Sequence, residues 1–126
     1  MSEGKVTGWK LADADRQKLL ARFAPLFPDR IADHVTLDSE AGPDAPLPEE
    51  TRADVVGEVD DGAGLEALVV AIGGTTDRPD GSTYHITWSL DRAAGREAVE
   101  SNEVIARLGW RSIAEPIAIE IIPARF

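Results

Sequence analysis

The sequence predicts an α+β domain, a sheet structure of two related lobes. Three observations carry this expectation. Short runs rich in β-branched and aromatic residues, bounded by Gly, Pro and Asp, recur along most of the chain. Two segments instead space their apolar residues as helices do. One pattern, a strand bearing His, an apolar residue and Thr, occurs once in each half: "DHVTLD" at 33–38 and "YHITWSLD" at 84–91.

The elements follow in order. Residues 5–11, "KVTGWKL", read as a first strand. "ADADRQKLLARFAP" reads as a helix, with Asp13 able to cap its N-terminus and Leu19, Leu20 and Phe23 on one face. Pro25 and Pro28 end it. Residues 31–39 return to a strand. The next segment, "EAGPDAPLPEE" at 40–50, holds three prolines and four acids, the composition of a solvated loop. Its place after the first motif would suit a substrate-facing flap, and a plain surface connection is the simpler account. "ADVVGEVDDG" and "LEALVVAIGG" read as two strands joined by a turn at Asp60-Asp61-Gly62-Ala63-Gly64. The nearly unbroken apolar run from Leu65 to Ile72 suits a central buried strand. "GTTDRPDGST" is a loop leading into the strand "YHITWSL". After a turn around Gly95, Ser101 can cap a short helix, "NEVIARLG", which Gly109 closes. "EPIAIEIIPARF" alternates as a last strand. The expected order is β-α-β-β-β-β-α-β.

Composition narrows the function. A chain of 126 residues, 43% of them hydrophobic, fits one domain spanning 1–126. No apolar run is long enough for a membrane span, and the first ten residues lack the apolar core of a secretory signal. A soluble, cytoplasmic protein is expected. Cysteine is absent, which excludes disulfides, thiol catalysis and thiolate-bound metals. Two histidines are too few for a His-rich metal site, so neither metal nor other cofactor is expected. Twenty-three acids against 13 bases give a formal charge of −10. That argues against gripping extended duplex nucleic acid, which needs clustered Lys and Arg. A small phosphate-bearing ligand or one end of an RNA is compatible with it.

The two histidines are where chemistry concentrates. On a strand, residues i and i+2 share a face, roughly 6.6 Å apart along its axis. His34 and Thr36 therefore point one way, while Val35 and Leu37 point the other. By the same rule His85, Thr87 and Ser89 share a face, and Ile86, Trp88 and Leu90 pack oppositely. Given the share of threonine in the chain, both histidines gaining Thr at i+2 by chance is an event on the order of one in three hundred. Across a cleft, two imidazoles and two hydroxyls suit a phosphodiester. One neutral imidazole takes a proton from attacking water, and one protonated imidazole gives a proton to the departing oxygen. Threonine hydroxyls hydrogen-bond the nonbridging oxygens. The plainer alternative is a pair of structural histidines.

On these residues the chain resembles the two-histidine (2H) phosphoesterase superfamily, whose paired strand-borne His-x-Thr/Ser motifs are matched by His34-Val35-Thr36 and His85-Ile86-Thr87. "TGWKLADADRQKLLARFAPLFPDRIADHVTL" is similar to the N-terminal strand, helix and first-motif strand of small members, among them relatives of the cyclic phosphodiesterase domain of RNA-repair ligases. "HITWSLDRAAGREAVESNEVI" is similar to their second motif and a following Ser-Asn loop, here Ser101-Asn102. The resemblance implies a bilobal fold of two sheets related by a pseudo-twofold. It also implies metal-independent opening of a 2′,3′-cyclic phosphate on a nucleotide or RNA end. His34 and His85 become the acid–base pair; His85 is preferred as base, although nothing in the sequence orders the two. Thr36, Thr87, Ser101 and Asn102 become substrate ligands. A monomer without membrane partners is expected. Two other readings keep the same residues: a non-catalytic nucleotide- or phosphate-binding module, and a ligase-type activity on RNA ends.

The remaining polar and aromatic candidates have simpler roles available. Lys10 and Arg92 are candidate cleft cations, with solvated surface charge the alternative. Trp88 faces away from His85 and suits the core. Trp9 and Trp110 are candidates for nucleobase stacking, and equally for core or rim positions.

Overall fold

In a computed structural model that describes residues 5–126, seven strands form one curled antiparallel sheet. The elements are β1 (Thr7–Leu11), α1 (Asp13–Arg22), β2 (Asp29–Arg30), β3 (His34–Asp38), β4 (Arg52–Asp60), β5 (Leu65–Ala71), β6 (His85–Leu90), α2 (Ser101–Leu108) and β7 (Arg111–Arg125). Two 3-10 turns, Arg92–Ala94 and Ala98–Glu100, lie between β6 and α2. The strand order is β2-β6-β5-β4-β7-β1-β3. The mixed α and β content agrees with the sequence. The two-residue strand β2 is additional, and β7 begins at Arg111 rather than at Glu115.

The sheet is continuous because β7 is long. Its Ile117–Glu120 stretch pairs with β4, and its Ile121–Arg125 stretch pairs with β1. Curling then brings the edge strand β3 beside β6, near the opposite edge. That proximity positions everything of functional interest.

Two apolar clusters hold the curl. On one face Trp9, Val35, Leu68, Val70, Ile86, Trp88, Ile119 and Ile121 pack with Leu19 of α1. Leu20 and Phe23 join at the margin, as the helix periodicity predicts. On the other face Val104 and Ile105 of α2 pack on Leu65, Ala67 and Val69 of β5. β5 is thus covered on both sides, the physical reason for its apolar run, which only Glu66 interrupts. Each fully buried Leu, Ile or Val contributes about 1.5–3 kcal/mol. Trp9 and Trp88 are both buried and spend their indole N–H groups on the carbonyls of Glu50 and Phe23, at 2.9 and 2.7 Å. Neither ring is available to stack a base.

The caps differ from expectation. Ala12, not Asp13, holds the N-cap position of α1, without a side-chain cap; Asp13 and Asp15 lie in the first turn, where their charge meets the positive end of the helix. Glu100 holds that position for α2, so Ser101 is helical and free for another role. Gly109 closes α2 in a positive-φ conformation, as read from the sequence.

A second correction concerns sidedness on β6. Glu66 pairs with Ser89 but the next residue, Ala67, pairs with Thr87, so Trp88 is the extra residue of a β-bulge. Beyond it the alternation inverts. Ser89 turns away from Thr87 and donates its hydroxyl to the Glu66 carboxylate at 2.7 Å, while Leu90 joins the cluster beneath α2.

Between β2 and β3 the chain changes partners. Ile31 and Ala32 donate backbone hydrogen bonds to Trp88 and Thr87 of β6; a few residues on, Val35 pairs with Trp9 of β1. Ala32 makes the switch at φ 44°, a left-handed conformation costing about 1–2 kcal/mol for a residue with a β-carbon. Its N–H on the Thr87 carbonyl and its carbonyl under the Arg16 guanidinium, at 3.0 and 2.6 Å, hold it there.

The segment 40–50 is a connection. Arg125 donates to the carbonyls of Gly42 and Ala45, at 2.9 and 3.2 Å, pinning the loop beside the end of β7. No helix among the described residues is long and apolar enough to cross a membrane.

Gly57 lies at a bulge shared by both partners of β4, and a β-carbon there would overlap the Trp110 ring and approach the Arg111 carbonyl oxygen to 2.8 Å. Gly57→Ala is therefore expected to destabilise the fold by about 1–3 kcal/mol. Urea denaturation checks this; a wild-type midpoint would mean that Trp110 is loosely held. The same contact assigns Trp110 to packing against β4.

Candidate functional site

Between β3 and β6 lies a cavity of about 200 Å³, lined by His34, Thr36, Ser39, Arg78, His85, Thr87, Ala98, Val99 and Asn102. Strand alternation gives each strand's contribution. On β3, His34 and Thr36 face the cavity while Val35 is buried in the core. On β6, His85 and Thr87 face it while Ile86 and Trp88 pack oppositely. The two His-x-Thr motifs, distant in sequence, thus line one space. A larger cavity, about 350 Å³, is lined by Glu58, Asp60 and Glu66 among others, and burial pushes the Glu66 carboxyl up. Its three carboxylates outnumber its one cation, Arg111, which is paired with Glu58 and Asp60, so the cavity between β3 and β6 is the candidate phosphate site.

The imidazoles sit in different surroundings. His85 is 9% exposed, and its Nδ1 lies 2.9 Å from the Thr83 carbonyl oxygen. A carbonyl only accepts, so Nδ1 carries a hydrogen and the neutral ring has its lone pair on Nε2. Burial pushes the His85 pKa below its ordinary 6.5. The Thr83 hydrogen bond opposes this shift; the positive charges of Arg78 and His34 reinforce it. The fold therefore favours neutral His85. That stability is present above pH 6.5 and is lost as pH falls from there through the lowered folded value. His34 is partly exposed: Nδ1 stands 3.3 Å from an Asp33 carboxylate oxygen, and the Phe126 ring meets the imidazole edge-on at 4.5 Å.

The hydroxyls and the amide are organised unequally. Thr87 Oγ1 is 2.8 Å from Ser101 Oγ and 3.4 Å from the Ala98 carbonyl oxygen. Ser101, read from the sequence as a substrate ligand, is fully buried and does not line the cavity. It stands one layer behind, where it can donate to Thr87; the Thr87 hydrogen then goes to the Ala98 carbonyl at a long 3.4 Å, a weak bond that a ligand oxygen can replace. Asn102 does line the cavity, and its Oδ1 is enclosed without a hydrogen-bond partner.

Lys10 and Arg92 are both exposed and absent from the lining. Lys10 is the register partner of His34 on β1, and Arg92 lies past β6 with its N–H on the Asp29 carboxylate at 2.9 Å. The cation that sequence reading missed is Arg78, from the β5–β6 loop. It is 5% exposed. The only local signal was its place in "DRPDGS", a turn-rich segment just before the second motif.

No protein-family model, curated protein or solved structure matches the chain.

Proposed function

We propose that the chain is a cyclic phosphodiesterase of the two-histidine type, opening the 2′,3′-cyclic phosphate of a nucleotide or RNA end to a phosphomonoester. The observation carrying this reading is the single cavity lined by both His-x-Thr motifs. Its size suits a phosphate and part of a sugar. On a two-lobed reading, β1, β3 and the end of β7 would form one half and β4, β5 and β6 the other, with the cavity between β3 and β6 at their junction.

His85 is the general base. Its neutral form is favoured by burial, and its Nε2 holds the lone pair. Nε2 takes a proton from water as the water oxygen bonds to phosphorus. The bond from phosphorus to one ribose oxygen breaks, and the His34 imidazolium gives its proton to that oxygen. One water is consumed, and proton exchange with solvent resets the pair. Thr36 and Thr87 donate to the nonbridging oxygens, where charge grows in the pentacoordinate transition state. Asn102 lines the same cavity, and its side-chain NH2 can donate to a phosphate oxygen. The net charge of −10 favours a small nucleotide or an RNA terminus over a long duplex.

A bell-shaped pH profile is expected, with the acidic limb of kcat/KM below pH 6.5 because burial lowers the pKa of the base. Activity is expected to survive EDTA, since imidazoles perform both proton transfers. The deciding experiment incubates the protein with 2′,3′-cyclic mononucleotides and with oligonucleotides ending in a cyclic phosphate, and identifies the products. Consumption of neither would overturn the assignment; tight binding of a cyclic nucleotide without turnover would point to a binding module.

A further inference from the structure

Among the described residues, Arg78 is the one cation of the cavity wall other than the histidines. A guanidinium that is 5% exposed needs partners, because a buried charge is costly unless paired and hydrogen-bonded. Part of that need is met. Nη2 lies 2.9 Å from the Asp80 carboxylate, which is itself fixed by the Ser82 hydroxyl at 2.6 Å and the Ser82 N–H at 2.9 Å. The loop closes on itself through the Arg78 N–H to the Ser82 carbonyl and the Gly81 N–H to the Arg78 carbonyl, both 2.9 Å. Nε is enclosed and has no hydrogen-bond partner. Asp80 is 53% exposed and partly screened by solvent, so it does not cancel the guanidinium charge inside the cavity.

We propose that Arg78 is a fixed anion ligand of this cavity, holding a nonbridging oxygen of a phosphate between the two histidines. The role deepens the phosphodiesterase reading and rests on it for its catalytic part, although the binding part stands without turnover. A guanidinium discriminates by charge. A cyclic phosphodiester carries one negative charge, whereas the pentacoordinate state and the phosphomonoester product carry about two. Arg78 thus holds the transition state more tightly than the substrate, which raises kcat. It also holds the product, so product inhibition accompanies catalysis. A second consequence reaches His85, on which the acting charges are Arg78 and His34. Removing the guanidinium relieves repulsion of the imidazolium and moves the acidic limb of the pH profile upward.

The test uses inorganic phosphate, the whole chain, and the variants Arg78→Met and Arg78→Lys. Calorimetry is expected to show phosphate binding weakened about tenfold to a hundredfold in Arg78→Met, the size of a charged hydrogen bond, and less in Arg78→Lys. With a 2′,3′-cyclic nucleotide, kcat is expected to fall more than KM rises. The acidic limb should move to higher pH in Arg78→Met and stay in Arg78→Lys. In the wild-type protein the Arg78 Nε–H resonance, identified by its loss in Arg78→Lys, should shift saturably with phosphate. That measurement decides the matter even where Arg78→Met fails to fold. An unmoved resonance, or unchanged phosphate affinity in a folded Arg78→Met, overturns the assignment while leaving cyclic phosphate hydrolysis standing. Arg78-dependent phosphate binding without any hydrolysis has the opposite meaning: the anion site holds and the phosphodiesterase reading falls.

Discussion

His85→Ala and His34→Ala are each expected to lower turnover of a 2′,3′-cyclic nucleotide by at least about a hundredfold, the contribution of one positioned acid or base. The two variants should differ in pH dependence. His85→Ala removes the group that must be neutral, so its acidic limb disappears; His34→Ala removes the group that must be charged, so its basic limb disappears. Because both imidazoles act in one transition state, the double variant should be less impaired than the product of the single losses. Stability separates the pair again. His34 lies on the edge strand β3, partly exposed, and its truncation should leave the melting temperature nearly unchanged. His85 is buried and bonded to the Thr83 carbonyl, so its truncation should cost about 1–3 kcal/mol. Rates must therefore be compared at temperatures where both variants are folded, checked by circular dichroism. If both folded variants retain full activity, the two-histidine mechanism is wrong.

Gly8→Ala should be the most damaging change away from the cavity. Gly8 lies where β1 and β3 change register: Thr7 pairs with Asp38, and Gly8 with Thr36. A β-carbon at Gly8 would overlap the Val35 carbonyl oxygen and lie 3.0 Å from the Leu37 nitrogen and 3.1 Å from the Thr36 Cα. These are backbone atoms of a paired strand, with no flexible side chain to swing aside. The expected cost is about 3 kcal/mol, the upper end of ordinary overpacking. Displacement of β3 also carries His34 and Thr36 with it. A shift of about 1 Å in a catalytic group can lower the rate about a hundredfold. The folded fraction should thus lose activity as well, which a simple loss of stability would not produce. Guanidinium denaturation and single-turnover rates on the same preparation measure both effects. A Gly8→Ala protein with wild-type stability and rate would mean that β1 does not approach β3 this closely.

How far the site was legible depends on the range of the interaction that fixed each residue. His34 with Thr36, and His85 with Thr87, could be read as same-face pairs because alternation along a strand is local. Ser89 could not. The bulge at Trp88 belongs to the pairing with β5, and one extra residue inverts every side chain beyond it. Ser101 had two readings, cap and ligand. The structure gives it a third, a hydroxyl behind Thr87, because the helix starts one residue earlier than a serine cap would require. Arg78 could not be singled out, since its burial results from a loop folded over a cavity that exists only when β3 meets β6. Trp9 and Trp110 remained open as stacking platforms until their neighbours in space were known.

Short-range regularities in the sequence thus determined an α+β chain, its main strands and helices, and two His-x-Thr faces turned away from the core. The tertiary structure alone decided that these faces share one cavity, that a buried arginine joins them, and that His85 is the more deeply enclosed imidazole. The division has a physical cause. Strand and helix periods are set within a few residues, whereas curling of the sheet depends on β7 pairing with both β4 and β1, and on β1 pairing with β3.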